Sequence, residues 1–227
     1  ILDTPAAYAA FLQETEGYMR KVLGLKRTDT LPEGAASYDG VTFLCYEATA
    51  ALEGDGLTCI TRTNVVCGGA VYCGLGSRKL SKAEFAQGLE MVVGPNRAYS
   101  TKPTMRRVNQ QLDHFDEKHK CLVMGRLEDM TDPEAVMIIT DPQHVMRLCK
   151  AYTWKTGELV HALGGTSWCG MSFPQVFTER TMTYNIGDPP SRAFMQLDDS
   201  EMFCVIHWDL VPLVVGNLKN VSTGEGY

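Results

Sequence analysis

The sequence has no long apolar run and no excess of positive charge. A helix that crosses a membrane needs about 18 or more consecutive apolar residues, and no segment of this chain approaches that length. The 21 Lys and Arg residues and 27 Asp and Glu residues give a net charge of −6, whereas binding to nucleic-acid phosphates requires a net basic face. The sequence therefore predicts neither a membrane nor a nucleic acid as partner.

Several short motifs are also absent. There is no Cys-x-x-Cys pair, which argues against a zinc ribbon or a thioredoxin-type site. The chain contains no G-x-G-x-x-G dinucleotide motif, no Walker phosphate loop and no G-x-S-x-G nucleophile elbow. Its eight cysteines occur without a secretory signal, so they are interpreted as buried thiols or metal ligands of a cytoplasmic protein, and not as disulfides.

Length and hydrophobic content predict one globular domain that covers residues 1–227. The chain is 44% hydrophobic and 21% charged, which is typical of a protein with a packed core. Mixed helix and strand patterns predict an α/β fold, with α+β as the alternative. The amphipathic spacing from Pro5 to Leu25 predicts an N-terminal helix within residues 1–28, with Thr4 as its N-cap.

Other elements follow from periodicity and from capping residues. Strands are predicted at residues 57–66, 121–127, 136–140, 159–163, 181–186 and 202–207. Helices are predicted at residues 41–52, 81–93, 103–118, 142–154, after Thr166 or Ser167, and from Asp209 to about 218.

An internal duplication is the strongest pattern in the sequence. Three collinear pairs of segments match, each with a cysteine in register: 41–45 with 145–149, 68–75 with 164–171, and 121–124 with 204–207. The matches predict two α/β halves, about 30–128 and about 130–219, related by a pseudo-two-fold axis and sharing one core. The crevice between such halves is a natural ligand site. The alternative is that short apolar helices and Gly-Gly turns resemble each other by chance.

Two Gly-Gly turns, Gly68-Gly69 and Gly164-Gly165, precede predicted helices. A strand that runs into such a turn directs free backbone N–H groups outward and is suited to hold a small anion at a helix N-terminus. His161, just before the second turn, is a candidate proton carrier. The alternatives are that the glycines allow close packing and that the histidine is a hydrogen-bonded core residue.

The chain resembles one known family in a set of short motifs spread over about residues 35–218. These are Cys45 with Ala48 and Gly54, the segment Cys67-Gly68-Gly69-Ala70, Cys169 followed by Pro174, Asp141-Pro142-Gln143, and Arg192 with Asp199-x-Glu201-Met202. The resemblance is to the prokaryotic "domain of unknown function 169" family. It implies a metal or iron–sulfur centre at Cys45, Cys67 and Cys169. The chain departs from the pattern near Ile186-Gly187-Asp188, where the resemblance implies another cysteine.

The resulting hypothesis is a cytoplasmic protein of unassigned reaction. Cys45, Cys67 and Cys169 would hold an iron–sulfur cluster or another thiolate-bound metal in the crevice, and the two Gly-Gly turns with His161 would bind a small anionic molecule. Three thiolates leave a coordination position open. If the centre exists, Cys121 and Cys204 are expected to lie outside it. The alternatives are a non-catalytic small-ligand-binding module and an interaction protein, both with purely structural cysteines.

Overall fold

The structure of the chain is a computed structural model. It describes residues 2–18, 20–37, 42–54, 56–61, 63–65, 67–75, 83, 86, 90, 93–94, 97–112, 119–165 and 167–223. Most of the predicted helix at 81–93, and residues 113–118 of the predicted helix at 103–118, lie outside these ranges. Within the described ranges, no helix is both long enough and apolar enough to cross a bilayer.

In the part of the chain that the structure describes, seven strands form one sheet in the order β2-β3-β4-β1-β5-β7-β6. The strands are β1 (Leu23–Thr28), β2 (Ala36–Ser37), β3 (Thr58–Thr61), β4 (Cys121–Arg126), β5 (Ala135–Thr140), β6 (Met182–Asn185) and β7 (Met202–His207). The short edge strand β2 runs parallel to β3, and the other neighbours are antiparallel.

Helices cover both faces of the sheet, which confirms the α/β prediction. They are α1 (Pro5–Ala10), α2 (Leu44–Glu53), α3 (Gly69–Tyr72), α4 (Lys102–Asn109), α5 (Pro142–Thr156), α6 (Trp168–Glu179), α7 (Pro189–Phe194) and α8 (Val211–Gly216). Helices α2, α3 and α6 pack on one face, called here the front face. Helices α1, α5 and α8 pack on the opposite, back face.

The central strands explain this layering. Met137 and Ile139 of β5 point to the front cluster, whereas Val136 and Ile138 point to the back cluster. Because successive residues of a strand face opposite sides of the sheet, a strand buried on both faces becomes an unbroken apolar run. Strand β7 has the same character. A third, smaller cluster lies beside β3 and β4 and contains Cys59, Cys121 and Val123.

The prediction of one long N-terminal helix from Pro5 to Leu25 is wrong beyond Thr15. Helix α1 begins as predicted, with the Thr4 side chain accepting the Ala7 N–H at 3.2 Å, and continues as a π-helical turn, Phe11–Thr15. Gly17 has a φ of +74° and ends the helical path. The chain then enters β1, which pairs with β4 on one side and β5 on the other. This pairing overrides the helical spacing of the sequence.

The strand predicted at 159–163 is also absent. The segment lies beside the edge strand β6, but it is held by hydrogen bonds from side chains of β6 and not by a ladder of backbone hydrogen bonds. Thr183 Oγ1 donates to the His161 carbonyl and Asn185 Nδ2 donates to the Leu163 carbonyl, each at 2.8 Å. The side chains of β6 therefore replace the hydrogen bonds that a neighbouring strand would make.

The structure does not show the predicted duplication. Helices α2 and α5, which the sequence alignment made equivalent, pack on opposite faces of the sheet. Equating Cys45 with Cys149 is therefore wrong, since the first packs on the front cluster and the second on the back cluster. The core is divided by the sheet and is not one volume shared by two halves.

Candidate thiol site

Four cysteines lie in the front cluster and form what we call the thiol site: Cys45, Cys67, Cys73 and Cys169. Cys45 is the second residue of α2, Cys67 comes two residues before α3, and Cys169 is the second residue of α6. Cys73 directly follows α3 and is fully buried. The fold thus places the three cysteines that the family resemblance implied on the same face of the sheet.

Backbone contacts place Cys45 close to the segment that carries Cys67. Thr42, before α2, forms an isolated parallel bridge with Val65, and its N–H donates to the Asn64 carbonyl at 2.8 Å. Gly69 lets α3 approach α2, because a Cβ there would lie 2.9 Å from Leu44 Cβ and 3.2 Å from Cys67 Sγ. The first Gly-Gly turn therefore supports the close packing of two helix N-termini.

The contact between α3 and α6 also depends on glycine. A Cβ at Gly170 would lie 2.7 Å from the Tyr72 ring, and a Cβ at Gly68 would lie 2.8 Å from the same ring. Tyr72 is buried at 7% exposure. The ring has little room to shift, because both glycines already touch it.

The Gly170→Ala substitution tests this contact. Alanine is the better helix former, but its methyl group would overlap the Tyr72 ring, and overpacking of this kind costs about 1–3 kcal/mol. We expect the free energy of unfolding, measured by urea denaturation, to fall by that amount. The control is Gly216→Ala in α8, where a Cβ meets nothing within 4 Å; it is expected to be neutral or stabilising. Equal effects of the two substitutions would contradict the contact.

Burial raises the pKa of three thiols of this site, Cys45, Cys73 and Cys169, and keeps them protonated at neutral pH. It raises the pKa of Cys45 to about 12 and that of Cys169 well above its ordinary value. The neighbouring thiols of Cys67 and Cys45 raise the pKa of Cys169 further, and Cys67 does the same for Cys73. The sulfurs are therefore within electrostatic reach of one another.

Trp168 lies against the Cys45 side of the thiol site. It is 1% exposed and stacks on Phe203 with ring centroids 4.1 Å apart and planes 9° apart. Its indole N–H makes no hydrogen bond of ordinary geometry with a described residue, but it lies beside the Cys45 sulfur and lowers the pKa of that thiol. The N-termini of α2 and α6 meet here as well, and helix N-termini favour negative charge.

Asp188 lies at the N-terminus of α6, the helix that follows the second Gly-Gly turn. Its Oδ2 accepts the Trp168 N–H at 3.0 Å, and its Oδ1 accepts the Ser191 N–H at 2.9 Å. Gly164 and Gly165 precede this helix start and are exposed. The chain therefore supplies its own carboxylate at the first N–H of α6, and a small anion at these glycines stays a prediction.

The structure places His161 apart from the thiol site. Its side chain is exposed, and its carbonyl accepts hydrogen bonds from Thr183 and, at 3.3 Å, from Gln175 Nε2. Gln175 lies nearly two turns beyond Cys169 on α6. His161 is thus positioned beside the middle of that helix and not at its N-terminus.

The remaining cysteines lie elsewhere. Cys204 is buried in the back cluster with Cys149, and Cys59 and Cys121 contact each other in the third cluster. Cys121 and Cys204 therefore lie apart from the four cysteines of the front cluster. In the part of the chain that the structure describes, no three His, Cys, Asp or Glu side chains already form a metal-binding arrangement.

Sequence reasoning did not assign three residues to this site. Cys73 and Trp168 are buried core residues, at 0% and 1% exposure, and the short spacing between Cys67 and Cys73 was a signal that the two cysteines lie close together. Asp188 stands where the family resemblance implied a cysteine, and its charge raises the pKa of both Cys45 and Cys169. That departure from the pattern was the signal for a carboxylate near the thiols.

Comparison with known proteins agrees with the motif resemblance. A model of the family described as uncharacterised ArCR, domain of unknown function 169, matches residues 12–217. No curated protein and no solved structure matches the chain.

Proposed function

The chain belongs to the domain of unknown function 169 family, and from its thiol site we propose that it is a cytoplasmic metal-binding protein. Cys45, Cys67 and Cys169 hold an iron–sulfur cluster or another thiophilic metal. The observation that carries this proposal is the placement of these three thiols, from three separate elements, on one face of the sheet where two helix N-termini meet.

The chemistry of the donors supports the proposal. Thiolates are the preferred ligands of iron–sulfur clusters and of zinc. Each thiol must lose its proton when a metal binds, and the Trp168 N–H beside Cys45 favours the resulting charge. Binding would require the three sulfurs to lie within bonding distance of one metal centre. Cys67 is half-buried, which leaves a route for the metal to enter.

A bound centre with three thiolate ligands would supply an open Lewis-acidic position. We place the predicted small anionic molecule on the exposed side of the site, next to Cys67 and the exposed Gly68. Asp188, buried at 8% exposure, adds negative charge on the opposite side and keeps the N-terminus of α6 in place.

Anaerobic purification of the native chain, expressed with added iron, tests this function. We expect a brown protein with broad visible absorbance and stoichiometric iron and acid-labile sulfide, or a colourless protein with stoichiometric zinc. The Cys67→Ser substitution is expected to remove most of the metal, because it deletes one ligand at a half-buried position where serine is tolerated by the fold.

The matched control is Cys149→Ser, which changes a half-buried cysteine on the back face. This variant is expected to keep its metal. A native chain that carries no stoichiometric metal after anaerobic purification overturns the proposal and leaves the cysteines as core residues. Equal metal content in the Cys67→Ser variant and the native protein overturns the ligand assignment.

A further inference from the structure

A groove with a volume of about 640 Å³ lies on the back face of the sheet, away from the thiol site. One side of α5, including Met146 and Cys149, forms its first wall. The segment after α5, with Leu159 and Val160, forms the second wall, and Tyr184 of β6 contributes a third contact. The volume is in the range of small-molecule binding sites, which is about 300–1,000 Å³.

The groove has an apolar rim that water contacts. Leu159 is 71% exposed and Met146 is 44% exposed. Covering such side chains with an apolar ligand is favourable by about 25 cal/mol for each Å² removed from water. The size and apolar walls of the groove therefore favour a small molecule with an apolar body.

Lys150 determines which charge the groove would favour in a bound molecule. It is exposed on α5, and among the described residues that line the groove it is the only charged one. Unlike Arg147 on the same helix, which pairs with Glu16, Lys150 forms no ion pair within the described ranges. An ammonium group at the edge of an apolar groove complements a carboxylate and repels a cation.

We propose that this groove binds an apolar carboxylate, such as a medium-chain fatty acid. The tail lies against Met146, Leu159 and Val160, and the carboxylate is bound by the Lys150 ammonium group. The site is separate from the thiol site and does not depend on a bound metal.

Titration calorimetry with decanoate on the full chain tests the proposal. We expect saturable binding by the native protein and about tenfold weaker binding by the Lys150→Gln variant, a loss of ~1.4 kcal/mol. Decyltrimethylammonium, which has a tail of the same length and a positive charge, is expected to bind more weakly than decanoate. The control variant is Lys155→Gln, since Lys155 is exposed on the same helix and does not line the groove; it is expected to bind as the native protein does.

Alkylation of Cys149 supplies an independent readout of the ligand's position. Decanoate is expected to slow the reaction of Cys149 with iodoacetamide, measured by peptide mass spectrometry, and to leave the reaction of Cys67 on the front face unchanged. Equal affinity of the native protein and the Lys150→Gln variant overturns the proposal. So does equal affinity for the two amphiphiles, or a Cys149 reaction rate that decanoate does not change.

Discussion

Replacing Trp168 with alanine is expected to lower the free energy of unfolding by about 3–5 kcal/mol, the cost typical of deleting a large buried aromatic side chain. Trp168 is 1% exposed. It stacks on Phe203 of β7 and meets Phe173 edge-on with ring centroids 5.2 Å apart. Urea denaturation followed by far-ultraviolet circular dichroism measures the loss without relying on the deleted fluorophore.

Trp154→Ala is the matched control for this substitution. Trp154 lies in the last turn of α5 and is 51% exposed, so its removal is expected to change stability by less than about 1 kcal/mol. Similar losses in the two variants would contradict the packing described here. Trp168→Phe separates the two roles of the residue: it is expected to keep most of the stability and to weaken metal binding at the thiol site, because the N–H beside Cys45 is lost.

The second large effect is expected at the ion pair between Glu16 and Arg147. Their side chains are 7% and 11% exposed, respectively, and Arg147 also donates to the Leu218 carbonyl at 3.3 Å. The Glu16→Ala substitution leaves the guanidinium of Arg147 buried without its counter-ion. We expect a loss of about 3–5 kcal/mol in the free energy of unfolding, measured by urea denaturation.

Two comparisons test the physical reason for this effect. Asp209→Ala breaks the ion pair with Arg180, whose members are 52% and 63% exposed, and is expected to cost no more than about 1 kcal/mol. The double variant Glu16→Leu, Arg147→Met removes both charges and is expected to recover much of the loss, because no unpaired charge stays buried. A double variant as unstable as Glu16→Ala would show that packing, and not charge, accounts for the loss.

The pair of Glu16 and Arg147 also explains the route of the N-terminal segment. The carbonyl of Glu16 lies 2.9 Å from His144 Nε2 at the start of α5. These contacts join the end of the first helical segment to α5, and the chain then turns at Gly17 into β1. The prediction of a helix from Pro5 to Leu25 is wrong because it rests on the spacing of apolar residues within one segment. These contacts and the pairing of β1 join residues more than 90 positions apart.

Elements with strong local signals were predicted well. Helix α5 was predicted at 142–154 and spans Pro142–Thr156. Its start is encoded by Asp141, which accepts the His144 N–H at 3.0 Å, and by Pro142 at the first helical position. Gly157, with a φ of +77°, ends it. Strand β7 occurs at the predicted residues, because the apolar run Met202–Ile206 between Glu201 and His207 is typical of a strand buried on both faces.

The sequence alone therefore determined the class of the fold, the strands that are buried on both faces, the capped helix α5 and the family resemblance through its cysteine motifs. Only the tertiary structure decided that β1 lies in the middle of the sheet, that α2 and α5 pack on opposite faces, and that Cys45 and Cys149 are not equivalent. It also brought Cys73, Trp168 and Asp188 to the thiol site. The physical reason is that caps and periodicity act within a few residues, whereas the face on which a helix packs and the side chains it meets depend on contacts between distant segments.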